Sequence, residues 1–262
     1  MSIFLAMLRK DLRVLLKQRQ IIITMSVLPL MMSVFLPLMF IFMLFRGSAD
    51  FEAAGGEVLF ANVPEELLHL PGELQQLMML LNNLLPGYFL MIPIMCGSVL
   101  AAGSFVTERE HKTMEALLYS PLSLRQLLLA KLSAALVPAL AVSWGSALLT
   151  ALAINIPCYL LRGITPFPTP IWWVILLWLL PIFAGIGLSF SVLISASAQT
   201  YQEAQQKSAL IVMPLLLLIL GPLLGFFTFN AANFIMLGAI LLLILGVLLA
   251  LVVRGFKVEK LI

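Results

Sequence analysis

The densest mixed-charge run in this 262-residue chain is Glu108, Arg109, Glu110, His111 and Lys112, with Glu115 three residues further on. Bond-breaking chemistry has little to work with elsewhere. Serines inside apolar stretches (Ser98, Ser143, Ser146, Ser189, Ser191) lack a neighbouring His or Lys to act as base. They are read as helix-packing donors. A phosphate-cradling Gly-x-x-x-x-Gly-Lys-Ser/Thr loop is absent, so hydrolysis of ATP by this chain alone is not expected. Zinc-ligand spacings are missing, and His69 and His111 fall on opposite sides of the apolar segment between them. Cys96 and Cys158 lie at different depths of their segments and read as small packing residues. No catalytic, cofactor or metal site is expected in the chain.

The charged run carries a helix pattern instead. Thr107 with Glu110 has capping-box spacing, and Ser120–Pro121 should end the short helix it starts. Ser123 with Gln126 has the same spacing, starting a helix that runs into the apolar stretch beyond. Met114, Leu117 and Leu118 form one stripe, with Glu108, Glu110 and Glu115 around it. That combination suits docking into a partner's groove. Pattern alone leaves open a solvated loop whose stripe folds back on lipid.

The elements that must position this run are membrane helices. The chain is 62% hydrophobic and 10% charged, against roughly 45–50% and 25% in soluble domains. Six stretches reach the ~20 residues needed to cross a bilayer: Gln20–Phe45, Leu84–Val106, Leu132–Ile156, Ile171–Ala198, Ser208–Phe229 and Asn233–Val253. No Asp, Glu, Lys, Arg or His occurs in any of them, which disfavours a proton- or ion-coupled mechanism. All but two of the 15 Lys and Arg residues fall on one side of this layout. Arg46 and Arg162 are the exceptions. The positive-inside rule therefore puts both termini in the cytoplasm. The fold class is an all-α integral membrane protein with residues 1–262 as one domain.

Three segments lie outside the spans. Residues 1–19 are amphipathic, with Arg9, Lys10, Arg13 and Lys17 on one arc and Phe4, Leu5, Leu8, Leu12 and Leu15 facing away. Such a helix should lie along the interface, its basic arc near lipid headgroups, and turn into the bilayer at Arg19–Gln20; the alternative is a simple cytoplasmic extension of the first span. The extracytoplasmic region 46–83 includes a leucine-faced helix at Glu73–Leu85, expected as part of a small cap or a pair of helices on the outer leaflet. The cytoplasmic region is 107–131. The prolines at 29, 37, 93, 138, 181, 214 and 222 should kink rather than break their helices. Gly221–Pro222 and the Asn230–Asn233 turn allow an alternative in which the fifth span starts nearer Thr200 and 222–233 forms a re-entrant hairpin.

The run Glu108 to Pro121, followed by Leu127 and Lys131, resembles the signature of ABC type-2 transporter permeases, the membrane subunits of ATP-driven exporters. Shared features are an acidic-basic-acidic start (Glu108, Arg109, Glu110), Thr113-Met114-Glu115, Leu117-Leu118, Pro121 and the later lysine. Lys112 stands where that family often has glycine. The basic amphipathic start, the six spans and the short loop from Ser197 to Gln206 are also similar. This resemblance implies that the run is a coupling helix contacting a separate ATP-binding subunit, which carries the ATP and magnesium. It implies a second permease chain, identical or different, completing the pathway in the cell membrane. Lipid is a partner; nucleic acid is not. The competing readings are a non-transporting membrane scaffold or assembly factor, then a secondary transporter or channel. The substrate is not legible.

Overall fold

Hydrocarbon offers no partner to a bare peptide group, so a chain this apolar must satisfy its backbone within helices. The computed structural model describes residues 9–10, 12–14, 17, 19–46, 69, 71–110, 124–195, 201–210 and 231–255. Among these, the first long helix is α1 (Arg19–Arg46), containing Pro29 and Pro37. A continuous rod follows: α2 (Gly72–Met79), a π turn (Leu80–Leu84) and α3 (Leu85–Glu110). The helix α4 (Leu124–Arg162) is next. A second rod runs through α5 (Pro170–Val174), a π turn (Ile175–Leu179) and α6 (Leu180–Ser195). The helices α7 (Tyr201–Ala209) and α8 (Ala231–Gly255) complete the described chain.

Five of these helical stretches are long and apolar enough to cross a membrane: Ile21–Met43, Leu74–Ala101, Gln126–Arg162, Pro170–Ile194 and Ala232–Arg254. They match the first, second, third, fourth and sixth expected spans. The expected fifth, Ser208–Phe229, lies outside the described residues beyond Leu210, as does most of the 222–233 hairpin. Helix α8 begins at Ala231, inside the stretch expected to turn.

Three boundaries differ from the sequence reading. Glu73–Leu85 is no separate surface helix; it is the starting end of the first rod, because Leu77, Leu80, Leu81 and Leu84 are buried against the bundle. Thr107 starts no new helix either. The helix α3 continues through Glu110, so Thr107 and Glu110 sit in its last turn. The third apolar helix reaches further than Leu132–Ile156 and takes in Lys131 and Arg162 at its ends. At 39 residues and ~1.5 Å per residue, α4 is about 58 Å long, roughly twice the hydrocarbon core. It must project beyond the bilayer. Prolines 29, 37, 93 and 138 stay inside their helices as expected.

The two rods form the centre. Along the first, 83% of the apolar window is buried, against 11% along α8, which sits at the periphery. Contacts fix their sense. Thr169 Oγ1 donates to Asn82 Oδ1 at 2.7 Å near one end, while Gly187 meets Ile94 further along. The rods are therefore parallel, both starting at the same end of the bundle. Helix α8 runs parallel to them as well, since Gly238 lies on Trp178 and Gly185 on Leu245.

Small residues allow the central approach, as is usual where lipid supplies no hydrophobic drive between helices. A Cβ on Gly187 would lie 2.8 Å from Ile94 Cα and 3.0 Å from its carbonyl oxygen. One on Gly97 would lie 3.2 Å from the Ala184 carbonyl oxygen and from Leu188 N. Helix α1 packs on α4 and α3. There Thr150 Oγ1 donates to Ser33 O at 3.0 Å and the Cys96 thiol to Met25 O at 3.5 Å. Both cysteines are free and buried. Of the serines expected to bind across helices, Ser98 and Ser143 bond carbonyls of their own helix, Met95 O and Ala139 O. Outward faces of α1 and α8 carry large apolar side chains such as Phe35, Phe42, Met236 and Leu243, as lipid contact requires.

The end bearing the α4–α5 link is tied down by polar contacts. Asn155 Nδ2 donates to Phe167 O at 2.6 Å, and Phe167 N donates back to Asn155 Oδ1 at 3.1 Å. Trp172 is buried between Phe89 and Phe167, edge-on to both at 5.2 and 4.7 Å.

Candidate functional site

The expected coupling run enters the structure only at its start. Glu108, Arg109 and Glu110 form the last turn of α3. Thr113, Met114, Glu115, Leu117, Leu118 and Pro121 lie outside the described residues, which resume at Leu124 with α4. Where the run leaves and returns is nonetheless fixed. Asn82 and Asn155 both sit at the end bearing the 163–169 link, through Thr169 and Phe167. Helix α3 runs away from that end and α4 runs toward it. Glu110 and Leu124 therefore share the opposite end, so the intervening segment leaves and re-enters one face of the bundle.

Two further elements reach that end. The second rod finishes there at Ser195, and α7 follows it, packed on α3 and α6. The polar sequence of 197–206 reads as a loop, with a helix starting nearer Thr200 as the alternative, and a helix does start at Tyr201. The missed signal is helical spacing: Ala204 and Ser208 are buried four residues apart, while Gln202 and Gln206 face out. Glu203 and Lys207 pair at 2.7 Å at the same i, i+4 spacing, worth only a few tenths of a kcal/mol when exposed.

Lys131 is the other residue the pattern undersold. Two turns into α4, it is 1% exposed, and it is not without a partner. Burial of an ammonium is tolerated only where polar groups meet it. This lysine is thus part of the packed interior of α4 rather than of an exposed basic surface.

Basic side chains gather near the start of α1. Residues 9–10, 12–14 and 17 are helical, and Arg9, Lys10, Arg13 and Lys17 are exposed, as is Arg19 at the first turn of α1. Leu12 is half-buried and Val14 exposed. This face presents cations suited to anionic headgroups, while Glu108, Arg109 and Glu110 lead out of α3 beside the α4 start.

Comparison with known proteins gives one match. The family model described as ABC-2 family transporter protein covers residues 5–244. Among curated proteins none matches, and no solved structure does. The matched region runs from the basic N-terminal segment through the charged run, both central rods and α7 into α8, and with it the chain belongs to the ABC-2 family of transporter proteins.

Proposed function

We propose that this chain is the permease subunit of an ATP-driven exporter, in which two permease chains form the pathway and two separate ATP-binding subunits drive it. The observation that supports this reading is the family match, together with the end of α3 at Glu110 and the start of α4 at Leu124 on one face of the bundle. In this reading Glu108–Pro121 is the coupling helix. ATP binding closes the partner pair, the coupling helices transmit the movement, and the pathway between permeases changes its exposure. The basic arc at Arg9, Lys10, Arg13 and Lys17 anchors the chain to anionic headgroups of the cell membrane. ATP and magnesium belong to the partner.

Six crossings suit this reading. Since α8 runs parallel to α6, the chain must return once to the far end between Ser195 and Ala231. A fifth crossing there meets that need. Both termini then share a side, and the positive-inside rule makes it the cytoplasm.

Orientation decides whether the coupling run can meet a cytoplasmic ATPase. With Cys96 and Cys158 replaced, a single cysteine at Thr165, which is exposed in the α4–α5 link, should react with an impermeant thiol reagent in intact cells. One at Glu203 on α7 should react only after permeabilisation. External labelling at position 203 would put the coupling face on the wrong side and sink the proposal.

A further inference from the structure

Both central rods change register just before a proline, and they do so in the same way. In the first π turn the amide of Leu85 reaches back five residues to Leu80 O; in the second, Leu180 reaches back to Ile175 O. Next in each chain comes proline, Pro86 and Pro181. Proline has no N–H. The carbonyls next in line for a five-residue bond, Leu81 O and Leu176 O, are thus denied their donor.

An indole takes that place in each case. Trp172 Nε1 donates to Leu81 O at 3.0 Å, and Trp144 Nε1 donates to Leu176 O at 3.0 Å. Each indole comes from a neighbouring helix: Trp172 from α5 and Trp144 from α4. The membrane makes these bonds matter. In water a carbonyl beside the exposed Trp144 would be hydrated, but hydrocarbon supplies no substitute donor.

We propose that Trp172 and Trp144 are backbone caps standing in for the missing proline amides, and that they make the two π turns matched bending points, held while the indole is bound and yielding when it leaves. Kinks concentrate at prolines and π turns because the i→i−4 ladder is interrupted there. Surrounding contacts define what moves. On one side of the turns, Gly97 and Gly187 hold α3 and α6 in close contact. At the first turn itself Thr169 holds Asn82, and Trp172, which precedes the second turn, packs on Phe89 just beyond the first and on Phe167 in the link. Trp172 belongs to the second rod yet caps the first, so bending one strains the other. The caps hold whatever partner drives the permease.

The test is a double-mutant cycle on the full chain in lipid nanodiscs, read by amide hydrogen exchange and thermal unfolding. Trp172→Phe should speed exchange roughly 3- to 15-fold across residues 80–85, and Trp144→Phe across 175–180, the range set by measured interhelical hydrogen bonds in membranes. Each should also lower the unfolding midpoint. Pro86→Ala in the first variant and Pro181→Ala in the second restore an amide for the orphaned carbonyl, and should recover most of both losses. Packing lost with the indole is common to both backgrounds and cancels in the cycle. If the Phe variants cost the same with and without their alanine partners, the indoles act by packing alone and the proposal fails. Unchanged exchange in the Phe variants would overturn it equally.

Discussion

Replacing Leu117 and Leu118 together by serine should lower the affinity of the chain for its ATP-binding partner by roughly 10²- to 10⁴-fold. The estimate follows from burial: an apolar side chain taken fully out of water contributes roughly 1.5–3 kcal/mol. Two such residues give about 3–6 kcal/mol as an upper bound, because interface truncations are not additive. Folding should survive, since Leu117 and Leu118 fall in sequence between Glu110, where α3 ends, and Leu124, where α4 starts. Glu115→Lys provides the contrast. Its effect on binding should be smaller and should fade with added salt, whereas loss of the leucines should persist. A pull-down titrated across salt concentrations reads both. Retention of the partner by the double variant at wild-type affinity would remove the run from the coupling role.

The largest expected effect on stability lies at Gly187. A methyl there would meet the backbone of Ile94, at 2.8 Å from Cα and 3.0 Å from the carbonyl oxygen. Backbone cannot swing aside as a side chain does, so α3 and α6 must part along the most buried seam of the bundle. Overpacking of a well-filled core costs about 1–3 kcal/mol and sometimes more; Gly187→Val should exceed Gly187→Ala within that scale. Gly145 is the control, because a methyl added there would meet nothing within 4 Å. Gly145→Ala should be neutral or slightly stabilising, because alanine is the better helix former. Thermal unfolding in detergent compares the pair. Equal midpoints for Gly187→Val and wild type would mean that the two rods do not meet as closely as described.

Much of this architecture was legible because lipid leaves so few solutions. Uninterrupted apolar runs had to be helices, and the first, fourth and sixth were located within a few residues of their expected bounds. The second starts ten residues earlier, and the third extends six residues further at each end. That prolines 29, 37, 93 and 138 do not break their helices was legible for the same reason. Register was not. The period of an apolar run says nothing of a π turn, so the link between Pro86, Leu81 and Trp172 needed coordinates. Continuity was also hidden. Leu77, Leu81 and Leu85 announce an apolar face but not whether it lies on lipid or enters the bundle, and the structure chose the bundle. At the candidate site, the charged run stands out as the densest polar cluster and its role rests on the resemblance, whereas the mostly polar Ser197–Gln206 resembles a loop and left a helical start near Thr200 only as the alternative. Ala204 and Ser208, small enough for close packing, are what fix α7 against its neighbours.

ATP turnover, measured on the chain alone and on the chain purified in mild detergent with the products of its chromosomal neighbours, tests the central claim most directly. The isolated chain should hydrolyse no ATP, lacking any phosphate-cradling loop. A separate ATP-binding subunit should co-elute with it and bring saturable hydrolysis that the Leu117→Ser, Leu118→Ser variant fails to recruit. Turnover by the isolated chain, or elution without any nucleotide-binding partner, would contradict the division of labour proposed for this permease.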